Sequence, residues 1–251
     1  MAYRLREDYV FIGEGAADNA LMRKLSLARG LPSFDYPFPD GIRRKKEDTA
    51  CKKKDTVGEK DDTVGGKGSF GEMLKLLEPV AYEQHRPRGI LIATDCGDDW
   101  ETAFANVADQ VAGTRFYPLP EKPGQPVSAT PASSHLPPLV IVMVPGEGKT
   151  GGMETLLVEA LRAKHSKTAE CLEQYLACLD GKGVGIKTWG QEKQGKARLQ
   201  CLIAVTNKID PNKGPSRIFS DQKNNNPPVI DVMHPAFDAL AKDLEKAVAA
   251  L

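Results

Sequence analysis

The chain carries no net charge, because its 34 basic residues cancel its 34 acidic ones. No global field therefore draws it to nucleic acid or to a membrane surface, although local basic runs keep that ability. Its five cysteines (Cys51, Cys96, Cys171, Cys178, Cys201) are odd in number and include no CxxC pair. That argues against a disulfide framework and predicts inert thiols in a reducing cytoplasm. No apolar run approaches the roughly 20 residues that span a bilayer. The opening stretch MAYRLREDYVFIGEG contains no signal-peptide apolar core. A cytoplasmic protein with no membrane association is expected. The four histidines (His85, His135, His165, His234) lack metal-ligand spacing and are expected at surface or packing positions.

What is present is an alternation of strand and helix patterns. A chain of 251 residues, 41% hydrophobic and 27% charged, suffices for a sizeable core. Residues 9–12 read as a strand ending in Gly13-Glu14-Gly15. A helix follows, in which Leu21, Leu25 and Ala28 recur at helical spacing before Gly30. A short helix is expected from Gly71. The apolar run in RGILIATD predicts a second strand ending near Asp95, and Trp100, Phe104, Val107 and Val111 mark the next helix. Residues 139–144 form the third expected strand, followed by helices over 152–164 and 167–180. Segment 198–206 fits a strand or a buried helix equally. Residues 235–251 close the chain as an amphipathic helix.

Two segments interrupt this rhythm. Residues 40–69 are rich in lysine, aspartate and glycine, contain the near-repeat DTVGEK and DTVGGK, and are expected to be a flexible insertion. Residues 118–138 are a proline-rich connection. The alternation predicts a single α/β domain over 1–251 built on a mainly parallel sheet, whose ligands meet the carboxyl ends of the strands.

Gly148-Lys149-Thr150 suggests a phosphate loop, but the first glycine of G-x-x-x-x-G-K-[ST] falls on Met143 within the strand. Pro145 also removes a backbone donor. VTNKID contains the N-K-x-D string of GTPases, and Asp180 to Gly183 supplies D-x-x-G. The interval from Asp180 to Asn207 is too short for the elements that separate them in that family. A GTPase ranks last among the functions considered.

Carboxylates give a different reading. Glu14 follows the first strand between two glycines, and Asp18 lies one helical turn on. Asp95 ends the second strand, with Asp98 and Asp99 in the next loop, and Glu154 opens the helix after the third. Three strand ends thus deliver acids to one sheet edge. Clustered carboxylates repel unless cations sit among them, and hard oxygen donors suit Mg²⁺. Asp and Glu are also favoured as helix N-caps, which competes with a functional role for Asp18, Asp99 and Glu101.

YVFIGEGAADNALMRKL resembles the first motif of Toprim domains, and GILIATDCGDDWETAF resembles their second, a strand followed by D-x-D. LVIVMVPGEGKTGGMETLLV and KARLQCLIAVTNKIDPN resemble segments of stand-alone, uncharacterised Toprim-like proteins. These are related to the Toprim nuclease domain of overcoming-lysogenization-defect (OLD) ATPases. The resemblance runs in order from about Tyr9 to Leu244. It implies a single Toprim-like, Rossmannoid α/β domain with helices on both faces. It further implies Mg²⁺ or Mn²⁺ held by Glu14, Asp18, Asp95 and Glu154, with Asp98 and Asp99 as further candidate ligands. Catalysis would fall to Glu14, Asp95 and Glu154, with Lys196 against phosphate. Gly97 stands where the second aspartate of D-x-D belongs.

The implied function is a metal-dependent nuclease or nuclease-like effector acting on DNA or RNA in anti-phage defence, alongside an ATPase partner. The alternative is a catalytically degenerate Toprim-fold module that docks on a partner protein. Self-association is left open.

Overall fold

The computed structural model describes residues 5–37, 69–80, 86–207, 218–219 and 229–251. The expected insertion over 40–69 lies outside the described residues except for Ser69.

A four-stranded, all-parallel sheet forms the centre, from β1 (Tyr9–Ile12), β2 (Phe34–Asp35), β3 (Gly89–Asp95) and β4 (Leu139–Val144), in the order β2-β1-β3-β4. Register pairs Val10 with Ile90, Ile12 with Ile92, and Asp95 with Val144. β1, β3 and β4 are buried along their whole length, as their near-continuous apolar runs require. The two-residue β2 is too short to leave an alternation, and the sequence patterns do not reveal it.

Side chains alternate across the sheet. Phe11, Leu91, Ala93, Val140 and Val142 face one core. It contains side chains from α1 (Ala16–Arg29), α4 (Met153–Lys164), α5 (Ser166–Leu179), α6 (Gln191–Thr206) and α7 (Asp238–Ala250). Val10, Ile12, Ile90, Ile92 and Ile141 face the other, against α2 (Phe70–Val80) and α3 (Trp100–Gly113). Helices therefore cover both faces of a Rossmann-like sheet. Segment 198–206 is helical, as the second half of α6. Its buried Leu199, Leu202 and Ile203 recur at helical intervals.

The proline-rich connection runs back along β4. Val127 exchanges both backbone hydrogen bonds with Leu139 (2.7 and 2.9 Å), and Gly124 N–H donates to the Ile141 carbonyl (2.8 Å). It thereby satisfies polar groups on an edge that would otherwise be open to another strand.

From β1 the chain turns one way to β2, then returns past β1 to β3. The strand order reverses between β1 and β3, and in open parallel sheets ligands bind beyond the carboxyl ends at such a point. Glu14 and Asp95 stand there.

Candidate metal centre

Glu14 leaves β1 and reaches across to its neighbour. Its Oε1 accepts from Thr94 Oγ1 (2.6 Å) and from the Asp95 N–H (2.9 Å). One carboxylate oxygen is thus fixed at the switch point by two donors from the end of β3. Asp18, at the third position of α1, accepts from the Gly15 N–H through Oδ2 (2.9 Å). It caps its own helix, so the structural role weighed for it is present.

Asp95 is buried, and its Oδ1 accepts from the Met153 N–H at 3.0 Å. A carboxylate at the end of β3 therefore caps α4, which starts after β4. Gly152 makes the contact feasible. A Cβ at that position would strike the Asp95 carboxylate itself.

Glu154 follows in the first turn of α4 and is 7% exposed. Its Oε2 is buried and has no hydrogen-bond partner among the described residues. An unpartnered buried carboxylate oxygen costs free energy unless a proton or a cation meets it.

Burial and neighbouring charge act on Asp18, Asp95 and Glu154. Burial, reinforced by the charges of Glu14 and Glu154, pushes Asp18 up to about 7. Burial, then Asp18, Glu14 and Glu154, raises Asp95 well above the usual carboxylate range. Glu154 is raised chiefly by burial, with Glu192 and Glu14 adding to it and Lys196 opposing. Lys196 is exposed and ion-paired with Glu192 on its own helix. Burial lowers its pKa, but the Glu192 hydrogen bond and the charges of Glu192, Glu154 and Asp95 together raise it. Lys196 therefore stands within electrostatic reach of the acids.

Asp98 and Asp99 do other work. Asp98 Oδ1 accepts from the Gln191 N–H at 2.5 Å, capping α6, with Gly190 packed closely against it. Asp99 is the N-cap of α3, accepting from the Glu101 N–H (3.1 Å) and from Thr102 Oγ1, which lowers its pKa. At the position of the second D-x-D acid, Gly97 adopts φ 62° and bridges to Gly151 through two backbone hydrogen bonds (2.8 and 2.6 Å). A side chain would be strained there.

Among the described residues, no three His, Cys, Asp or Glu side chains form a ready-made metal-ligand set. Asp18 and Asp95 are each committed to a capping bond, and Glu14 to the end of β3. Their chemistry nevertheless fits a hard divalent cation: all donors are carboxylate oxygens, several resist ionisation, and one oxygen is orphaned.

The Gly148-Lys149-Thr150 turn offers a phosphate little. The N–H groups of Lys149, Gly151, Gly152 and Met153 already donate to Gly146 O, Gly97 O, Thr155 Oγ1 and Asp95 Oδ1. Asn207, from the N-K-x-D string, sits at the far end of the 16-residue α6. That is ~24 Å from the end tethered by Asp98, at 1.5 Å per helical residue. The remainder of that string, from Lys208, lies outside the described residues.

Two contributors escaped the sequence reading. Thr94 holds Glu14, and Gly152 admits Asp95 to the start of α4. Thr94 belongs to the same apolar strand pattern as its neighbours, so no local signal marks it. No match is found among curated proteins or among solved structures. Residues 9–242, nearly the whole chain, match the model of a family described as a protein of unknown function (DUF3226). The chain belongs to that family.

Proposed function

We propose that the protein is a Toprim-like, Mg²⁺- or Mn²⁺-dependent nuclease or nuclease-like effector acting on phosphodiesters. The observation that carries this reading is the orphaned Oε2 of buried Glu154 among carboxylates that raise one another at the sheet's switch point. Glu14, Asp18, Asp95 and Glu154 are the residues that would hold the ion. Such an ion would supply Lewis-acid polarisation of a phosphodiester and an activated water.

The chain's own residues prepare the site. Thr94 and the Asp95 amide lock Glu14 in one orientation, so it cannot swing away from the strand ends. The start of α4 fixes Asp95 through Met153 N–H. Asp18, pushed up to about 7 by burial and by the charges of Glu14 and Glu154, shares its carboxyl between protonated and ionised forms at neutral pH. Lys196 brings positive charge to the same edge, where a phosphate would meet it. An ATPase partner and a role in anti-phage defence follow from the OLD resemblance and belong to this proposal.

One observation favours a second reading, a catalytically degenerate module that docks on a partner protein. The second D-x-D acid is Gly97, and Asp98 is turned onto α6. The test is cleavage of single- and double-stranded DNA and RNA in Mg²⁺ or Mn²⁺, with Glu14→Ala as control. Metal-dependent cleavage lost in Glu14→Ala supports the nuclease. Metal binding without cleavage supports the module, and intact cleavage in Glu14→Ala defeats the assignment of this site.

A further inference from the structure

Between α5 and α6 the chain makes a tight, lysine-rich turn, DGKGVGIKTWGQEKQGK over residues 180–196. It is well built. Ile186 is buried beneath it, Asp180 Oδ1 accepts from the Lys187 N–H (3.1 Å), and Thr188 Oγ1 donates to Gly185 O (2.6 Å). Gln194 Nε2 donates to the Trp189 carbonyl (2.7 Å), while Gln194 Oε1 accepts from Arg198 (3.0 Å). Arg198 in turn is anchored on Glu173 of α5 (3.0 Å). Asp98, three residues beyond Asp95, clamps the turn's end at Gln191. The loop is therefore fixed beside the carboxylate cluster.

Trp189 is half-buried on this loop, and the Lys193 ammonium lies over its ring, with Nζ 4.2 Å from the centroid. Lys193 and Lys196 are both exposed and three residues apart, so they share a face of α6. Lys193 covers one face of the ring, and Lys196, ion-paired with Glu192, lies three residues on and within electrostatic reach of Glu154 and Asp95. A flat ring next to cations is the combination that binds single strands: bases stack on the ring and the cations neutralise the backbone.

We propose that Trp189, Lys193 and Lys196 form a platform for single-stranded nucleic acid, on which an unpaired base displaces the Lys193 ammonium from the Trp189 ring and stacks there, while its phosphates draw Lys193 and, in exchange for Glu192, Lys196. This rests on the nuclease reading above and gives it a substrate class. Duplex carries the same phosphates but keeps its bases stacked inside, so the platform discriminates against it. The ribose 2′-hydroxyl is not read by these residues, so single-stranded DNA and RNA bind alike.

The test uses the full chain in EDTA, with fluorescein-labelled oligo(dT) and oligo(U) followed by anisotropy and a blunt duplex as competitor. Stacking on an aromatic ring contributes about 1–3 kcal/mol per base, and 1.4 kcal/mol is tenfold. Trp189→Ala is therefore expected to bind both oligomers about tenfold more weakly, and Trp189→Phe to stay within about threefold of wild type. Intrinsic fluorescence, from Trp100 and Trp189 alone, is expected to quench on binding in wild type and not in Trp189→Phe. Wild-type affinity in Trp189→Ala overturns the platform, as does tighter binding of the duplex or no binding of either oligomer. Mg²⁺ titration by calorimetry on the same variants separates the two readings. Unchanged metal binding with failed stacking removes the platform alone, whereas no metal binding by wild type removes the site it serves.

Discussion

Each acid at the carboxyl edge has a structural occupation, and the distinction between site and scaffold lies in what remains. Asp18, Asp95, Asp98 and Asp99 cap α1, α4, α6 and α3. Capping accounts fully for Asp98 and Asp99. It does not account for Asp18 and Asp95, whose burial among other acids works against ionisation. Nor does it explain Glu154, whose Oε2 has no hydrogen-bond partner among the described residues.

Two predictions belong at the scale of the residue. Gly152→Ala drives a Cβ into the Asp95 carboxylate and is expected to destabilise by about 1–3 kcal/mol, measured by urea unfolding. The second concerns pH. Asp18 titrates near 7 in the fold and 3.8 in its ordinary state, so its contribution to stability is fully present below 3.8 and is lost as pH rises through 7. The chelated protein is therefore expected to melt several degrees lower at pH 8 than at pH 5. Asp18→Asn should flatten this slope, and a wild-type slope in that variant would refute the assignment.

At the scale of the element, the legible parts of the sequence were those with a long apolar period. Tyr9–Ile12, the strand to Asp95, Leu139–Val144 and the helices after them follow directly from alternation and spacing. What stayed hidden was set by tertiary contact. β2 is two residues long and exists because it pairs with β1. Segment 198–206 was ambiguous because a five-residue apolar run fits either period. As a helix it continues α6, which packs against α4 and α5 and is capped by Asp98 at Gln191. Asp98 also carries a tie that its motif does not reveal. Its spacing after Asp95 suggests a metal ligand, whereas its partner is a backbone amide 93 residues away. Asp98→Ala is accordingly expected to cost ~1 kcal/mol of stability, as loss of a cap does, measured by chemical unfolding. Its affinity for Mn²⁺ is expected to match wild type, and a large loss of affinity would return Asp98 to the ligand set.

At the scale of the whole molecule, the strand order β2-β1-β3-β4 creates the site. Reversal between β1 and β3 sets Glu14 beside Asp95, and the crossover from β4 brings the start of α4, with Glu154, to the same edge. Family membership across residues 9–242 covers every one of these elements. The proposal on which the account turns is that the four carboxylates hold one divalent cation. Isothermal titration of the chelated, dialysed protein with Mn²⁺ tests it most directly, comparing wild type with Glu154→Gln and Asp95→Asn. Saturable binding by wild type, weakened at least tenfold in both variants while each still unfolds cooperatively, is the predicted result. No saturable heat from wild type, or equal affinity in all three proteins, would contradict it.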